Sequence, residues 1–332
     1  MIVYSDIFLE HDFPGHPENK ERLISIMDFL RKHRLLDEHL LAEPLKAVEE
    51  DILRVHSKEH FQKIEATQNF ESTLQGDTYF TPQTFESALY AAGSLITCVE
   101  GESPVSFALP RPPGHHATRD TAMGFCIFNN VAVAAAYAKE KGTKKIAILD
   151  FDIHHGNGTQ DIFYNSDILY ISLHRSPFYP GSGRIEEIGA GNGEGFTVNI
   201  PLPAGVSDSS YKLALDEVVY PVFEDFKPDI IFYSAGYDCH FADTIGDLSL
   251  SSKIYYDIGK KSKEISKKSV FALEGGYNLN TLPYCVASTI QGFRGMEWGG
   301  YDSPKVEDTP ITDKMSSVIQ SVKKQVSEHW KI

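Results

Sequence analysis

The feature that most constrains this chain is a repeated pairing of two patterns. Short, unbroken apolar runs rich in Ile, Val and Phe are each followed by a helical pattern. The candidate strands are PVSFALP (104–110), KKIAILDFD (144–152), DILYISLH (167–174), PDIIFYSAG (228–236) and SVFALEGG (269–276). Runs that are apolar at nearly every position, not at alternate ones, suit strands buried on both faces of a parallel sheet. Between them lie helix candidates. Residues 81–101 place Pro in the first turn and Gly after the end; residues 128–142 are Ala-rich and also stop at Gly. Residues 207–226 carry Pro221 late, which predicts a kink or break there. From Thr312 onward, Met315, Val318, Ile319, Val322 and Val326 recur at helical spacing and predict a docked C-terminal helix over 312–331. Strands alternating with helices imply right-handed crossovers. The expected fold is α/β: an open, mostly parallel sheet with helices on both faces. No repeat, low-complexity segment or Ser/Gly linker interrupts it, so a single domain is expected over residues 1–332.

Composition narrows the function classes. No apolar stretch approaches the roughly 20 residues needed to cross a bilayer, so no membrane association is expected. The start, MIVYSDIFLEHDF, has neither a basic n-region nor a cleavage site, and no signal peptide is read there. Cys98, Cys126, Cys239 and Cys285 are scattered with no C-x-x-C pair, which argues against a disulfide framework or a cysteine-based zinc site. A cytoplasmic protein is expected. The formal net charge of −15 argues against direct nucleic-acid binding, which needs a basic face. It favours steering of a cationic substrate, with simple solubility as the competing explanation.

In open α/β sheets, ligands bind outside the carboxyl ends of the strands. The chemically unusual residues of this chain fall at those ends: PRPPGHHA (110–117), DFDIHHGNG (150–158), SLHR (172–175), SAGYD (234–238) and LEGGYN (273–278). Histidines scattered through a core would have no reason to fall this way. In an extended segment Asp150, Asp152 and His154 share one face, while Phe151, Ile153 and His155 face the other way. Carboxylates on one face repel unless a cation lies beside them. An Asp/His set without thiolates suits a zinc-type ion in a catalytic site with three protein ligands, and Asp238 is the candidate for the third. The competing reading makes Asp150 a turn residue and His154 a satisfied core imidazole. His115 and His116, in a tight loop after RPPG, invite acid–base work if each has an orienting partner, and Asp150 is available to one of them. Tyr277, in a loop bent by glycines, offers a phenol to a developing oxyanion, with core packing as its alternative. GFC (124–126) and FYPGSG (178–183) bring aromatics that either wall a narrow channel or simply anchor loops.

Taken in order, RPPGHHA, GFCIFNN, LDFDIHHGNGTQ, SLHR, AGYD and LEGGYN resemble the zinc-dependent histone deacetylase family of the arginase–deacetylase fold. The likeness runs from HPENKERL (16–23) to about Gly292. That resemblance implies a role for each matching residue. Asp152, His154 and Asp238 match the zinc ligands. His115 and His116 match the pair that activates water and protonates the leaving amine; Asp150 orients the first, and Asn157 stands where the second finds its partner. Tyr277 matches the tyrosine that polarises the substrate carbonyl. Phe125 and Tyr179 match the walls of an acyl-lysine channel, and the Gly124 carbonyl matches the acceptor of the substrate amide N–H. Ser172 and Leu173, with Asp150, Asp152 and His154, match a monovalent-cation site, implying structural potassium beside zinc. Arg22 matches an arginine deep in the pocket that is linked to acetate handling. His155 fits as a structural residue.

Departures bear on the subclass. Asn157 replaces an acid of the class I enzymes and is similar to class II and bacterial or archaeal members. A neutral partner stabilises imidazolium less than a carboxylate does, so the two histidines should differ in basicity; which is the base stays open. Tyr179 stands where phenylalanine is usual. After Asp238, the segment CHFADTIGDLSLS places Ile245 near the expected rim, with no glutamate of the kind that selects acetylated polyamines. The expected function is removal of acetyl or other acyl groups from lysine in proteins or peptides. The alternative is an acetylpolyamine or other small acetyl-amine deacetylase, and a more remote one is a non-catalytic acyl-lysine binder. A homo-oligomer is compatible with the sequence, which does not specify one.

Overall fold

The computed structural model describes residues 1–36, 40–302 and 313–332. Among the described residues ten strands occur in chain order: β1 (Ile2–Val3), β2 (Leu41–Ala42), β3 (Thr73–Gln75), β4 (Thr78–Phe80), β5 (Val105–Ala108), β6 (Ile146–Asp150), β7 (Leu169–Arg175), β8 (Thr197–Leu202), β9 (Ile230–Ala235) and β10 (Lys268–Leu273). Eight of them form one sheet in the order β2-β1-β5-β10-β9-β6-β7-β8, and every pairing within it is parallel. β3 and β4 form a separate antiparallel hairpin.

Alternation along the central strands splits the core in two. From β6, Ala147 and Leu149 enter one apolar cluster and Ile146 and Ile148 the other; from β10, Phe271 and Leu273 separate from Val270 and Ala272 in the same way. Each fully buried Leu, Ile or Phe of this kind stabilises the fold by about 1.5–3 kcal/mol. One face is covered by helices Glu21–Lys32, Ser252–Ile265, Leu282–Arg294 and Asp313–Val326, the other by Lys58–Glu65, Thr84–Glu100, Asn130–Glu140 and Asn157–Phe163. The α/β sheet with helices on both faces is the architecture expected.

Details differ from the sequence reading, and each difference has a physical reason. β6 stops at Asp150, so Asp152 and His154 lie on a loop and not on a strand face. β1 and β2 are two residues long and leave no periodic signal; β8 has Asn199 and Pro201 within it, and Pro is tolerated because this is an edge strand. The break expected at Pro221 takes the form of a π-helical segment, Leu215–Val219, just before it. Widening the turn accommodates a residue that cannot donate to the preceding ladder. The terminal helix spans Asp313–Val326, shorter than the expected 312–331, and Thr312 lies outside the described residues. Beyond it the Trp330 indole donates to the Gly195 carbonyl at 2.8 Å and packs edge-on against Phe196 and Phe226. Among the described residues, no helix is long and apolar enough to cross a membrane.

Candidate metal centre and active site

The loop after β6 is shaped by its own carboxylates. Asp150 Oδ1 accepts the backbone N–H of Asp152 at 3.2 Å, and Asp152 Oδ1 accepts that of His154 at 2.9 Å. Each acid therefore folds the backbone two residues ahead of it, the local habit of Asp in turns. The alternation survives although the strand does not: Phe151 and Ile153 are buried in the apolar core, while Asp152 and His154 meet Asp238.

Asp152, His154 and Asp238 each bring a ligand atom to within 4.8 Å of the others. His154 Nδ1 lies 3.0 Å from Asp152 Oδ1 and 3.3 Å from Asp238 Oδ2. Asp238 Oδ1 is occupied by the N–H of Ile153 at 2.9 Å, and Asp152 Oδ2 by that of Gly275 at 2.8 Å. Gly275 is required there, since a Cβ would overlap Asp238 Oδ2 and crowd Asp152 Oδ2 at 2.5 Å. Asp238 Oδ2 itself is buried with no hydrogen-bond partner. Burial, and then repulsion from Asp152, push the Asp238 carboxyl above its usual range. Burial resists charging His154, yet the two carboxylates override it and raise the imidazole to about 10. These residues attract a cation, and an O/N/O donor set without thiolate, with one buried oxygen unpaired, fits a zinc-type ion.

The histidine pair sits beside this triplet, with ring centroids 4.0 Å apart. His115 Nδ1 lies 3.1 Å from Asp150 Oδ2, and His116 Nδ1 lies 2.7 Å from Asn157 Oδ1. Each imidazole thus has an orienting partner. Their electrostatics diverge as the two partners predict. Burial opposes charge on His115, but Asp152 and Asp150 carry it up to about 10. Burial, then His115 and His154, hold His116 well below the ordinary histidine value.

Two backbone features bring the aromatic walls into place. Gly124 and Phe125 both adopt positive φ, 56° and 68°. The first must be glycine, because a Cβ would overlap the His116 ring. The hairpin holds this turn: Gly124 N donates to Asp77 Oδ1 and Phe125 N to Thr78 Oγ1, each at 3.1 Å. The Phe125 ring stands edge-on to Tyr277 at 5.8 Å, and Tyr179, 39% exposed, edge-on to His116 at 5.1 Å. Both walls therefore touch the candidate catalytic side chains. The Gly124 carbonyl accepts from the Cys126 thiol at 3.3 Å. Ile245 is half-buried on the loop after Asp238.

Arg22 is fully buried and engaged. It donates to Glu18 Oε1 at 3.0 Å, to the Gly276 carbonyl at 2.7 Å and to the Glu274 carbonyl at 2.5 Å, with its guanidinium 5.0 Å from the centre of the Tyr277 ring. It grips the loop that carries Tyr277. Burial keeps the Tyr277 phenol well above its usual pKa and so protonated. Asp150 and Ser172 are register partners on β6 and β7; Ser172 Oγ is 2.9 Å from His174 Nδ1, and Leu173 follows in the same strand. His155 faces away from the triplet, bonded to Ser182 Oγ at 2.8 Å and Gln160 Oε1 at 3.0 Å.

Several residues at the site escaped the sequence reading. Glu274 Oε2 accepts the N–H of Gly114 at 2.7 Å and of His115 at 3.2 Å, so it fastens the histidine loop to β10. The Tyr170 hydroxyl lies 3.1 Å from Asp150 Oδ2. Phe178 stacks on His154 at 5.3 Å. Glu274 lies inside the LEGGYN motif, Phe178 opens FYPGSG and the Gly76–Asp77 turn has a visible breaker signal, whereas Tyr170 has none.

Comparison with known proteins agrees with this geometry. Residues 16–293 match the histone deacetylase domain. A "Probable deacetylase" of Archaeoglobus fulgidus is 38% identical over 99% of this chain and 98% of its own length. Histone deacetylase 10, chloroplastic, of Oryza sativa subsp. japonica is 39% identical over 94% of this chain and 78% of its own. The crystal structure of the HDA15 HD domain superposes with a TM-score of 0.91 at 33% identity, covering 99% of this chain and 94% of that one. With its fold, strand-end chemistry and relatives in agreement, the chain belongs to the histone deacetylase family.

Proposed function

We propose that this protein is a zinc-dependent deacetylase that hydrolyses the acyl amide of acetylated lysine in proteins or peptides. The observation that carries the reading is the pairing of the Asp152–His154–Asp238 triplet, with a buried Asp238 oxygen that takes no hydrogen bond, with two histidines held by unlike partners, the Asp150 carboxylate and the Asn157 amide. When bound there, zinc supplies a water of lowered pKa and polarises the acyl carbonyl. His116, oriented by a neutral amide, stays unprotonated and takes the proton from the attacking water. His115, held by the Asp150 carboxylate, stays charged and places positive potential beside the developing oxyanion. An imidazolium of the pair returns a proton to the departing amine. Tyr277, kept protonated by burial, donates its hydrogen bond to the same oxyanion. The aromatic walls of Phe125 and Tyr179 exclude water from an extended aliphatic chain.

On the same reading Asp150, Asp152, His154, Ser172 and Leu173 would hold a structural potassium ion through side-chain and backbone oxygens. Gly124 O would accept the substrate amide N–H, and Arg22, deep beneath Tyr277, would assist acetate. The cytoplasmic location expected from the sequence belongs with this proposal, although relatives in rice and Arabidopsis thaliana are named as chloroplastic. With Ile245 near the expected rim and no glutamate in that segment, an acetyl-lysine peptide should be turned over faster than N-acetylputrescine. Tyr277→Phe tests the mechanism: it should fold normally and lose about 10²–10³ in kcat, as expected for one oxyanion donor. A variant that keeps more than about a tenth of wild-type turnover would remove Tyr277 from this role.

A further inference from the structure

Two loops meet where Tyr277 leaves the sheet. One, residues 239–247, comes directly after the metal-ligand candidate Asp238 and carries Ile245. The other, residues 274–278, carries Tyr277 itself. Asp243 joins them. Its Oδ2 accepts the backbone N–H of Tyr277 at 2.7 Å and of Asn278 at 3.1 Å, while its Oδ1 accepts that of Ile245 at 3.0 Å. The clasp is reciprocal, because Asn278 Nδ2 donates to the Ala242 carbonyl at 2.5 Å.

The bond to Ile245, two residues on, is an ordinary local Asp turn and by itself would mean only a capped loop. Such a cap needs one oxygen. The second oxygen spans 34 and 35 residues of sequence to hold the two N–H groups that flank the Tyr277 side chain. On the opposite side Arg22 grips the carbonyls of Gly276 and Glu274. The Tyr277 main chain is therefore fixed from both directions in a stretch whose glycines would otherwise leave it free.

We propose that Asp243 is a positioning residue that orients the Tyr277 phenol for the reaction and ties it to the rim segment bearing Ile245. The inference rests on the deacetylase reading above. In chemical terms, Asp243 touches no substrate atom; it acts through Tyr277, making the oxyanion donor and the rim one mechanical unit.

The test is Asp243→Asn in zinc-loaded full-length protein, alone and combined with Tyr277→Phe. The amide keeps the shape but turns an NH2 toward either the Ile245 N–H or the Tyr277 and Asn278 N–H groups, so one side must break. On an acetyl-lysine peptide, D243N should lose about 10–100-fold in kcat with KM within about threefold, and should retain full zinc content. In the Y277F background D243N should cost less than about twofold more, because its target is already gone. Asn278→Ala, a gentler cut of the same clasp, should lose about three- to tenfold and show the same non-additivity, and it carries the test if D243N does not fold. A fully active D243N, losses that multiply in the double variant, or loss of zinc would each overturn the inference. A wild type inert toward the peptide would instead overturn the functional reading.

Discussion

Two clusters of charge are buried side by side in this molecule, and they behave in opposite ways. Beneath Tyr277, Glu18 lies between Arg22 and Arg111. Its Oε1 accepts from Arg22 at 3.0 Å and Arg111 at 2.5 Å, and its Oε2 from Arg111 and the Tyr79 hydroxyl, each at 3.0 Å. Arg111 spends its other donors on the carbonyls of Phe8 and His11. Although burial opposes it, the Arg111 charge holds the Glu18 carboxyl far below its usual range. The candidate metal triplet is nearly as buried, but it has two carboxylates, one imidazole and an Asp238 oxygen that takes no hydrogen bond. Burial alone therefore does not identify a binding site. The floor cluster, one carboxylate between two guanidinium groups, satisfies its donors on Glu18 and on backbone carbonyls and is architecture; the triplet sets two carboxylates against one imidazole and attracts a cation.

The sharpest way to break this contrast is to remove Asp238. Asp238→Ala should lower turnover by at least about 10³-fold, since the metal-activated water goes with the ligand. Zinc measured after dialysis should fall well below one equivalent. The metal-free variant should melt within about 5 °C of metal-free wild type, because loss of the hydrogen bond from the Ile153 N–H is offset by removal of a repelling carboxylate. A metal-free variant that melts much lower would show that Asp238 is structural, and the two clusters would then be of one kind.

The floor should fail in the opposite sense. Glu18→Gln leaves two buried guanidinium groups facing a neutral amide, and breaking a buried ion pair from one side costs about 3–5 kcal/mol. Denaturant unfolding should register that loss, while kcat of the molecules still folded stays above about a tenth of wild type, because no reacting atom is touched. Unchanged stability with collapsed turnover would move Glu18 into the catalytic machinery.

The contrast also explains what was readable in the sequence. The triplet, the histidine pair and their partners were legible because catalytic groups collect at strand ends, and those strands announce themselves as apolar runs. Asp150, Asp152 and His154 were read as one face of a strand and meet by another route, through turns that the same aspartates make. The floor was half legible: Arg22 stood out by resemblance, but Glu18 and Arg111, although inside HPENKERL and RPPGHHA, pair across 93 residues, which no local pattern announces. Asp243 and Tyr170 were silent for the same reason, being ordinary residues whose partners are set by topology. β8 was missed because an edge strand tolerates the Asn199 and Pro201 that break an apolar run.

The smallest predicted effect probes the boundary of the triplet. Asn157 gives His116 a neutral acceptor at 2.7 Å, and burial together with His115 and His154 keeps that imidazole uncharged. Asn157→Asp adds a carboxylate at the same position, which stabilises imidazolium and raises the His116 pKa. If neutral His116 accepts the water proton, activity is lost as pH falls through that pKa. The acid limb of kcat/KM should therefore move to higher pH, with the rate on the alkaline side nearly unchanged. A shift of the alkaline limb instead would make His116 the proton donor, and an unmoved profile would sever it from Asn157. The amide is thus the point at which surplus negative charge stops: it keeps the demand for a cation at the candidate metal ligands and away from the proposed base.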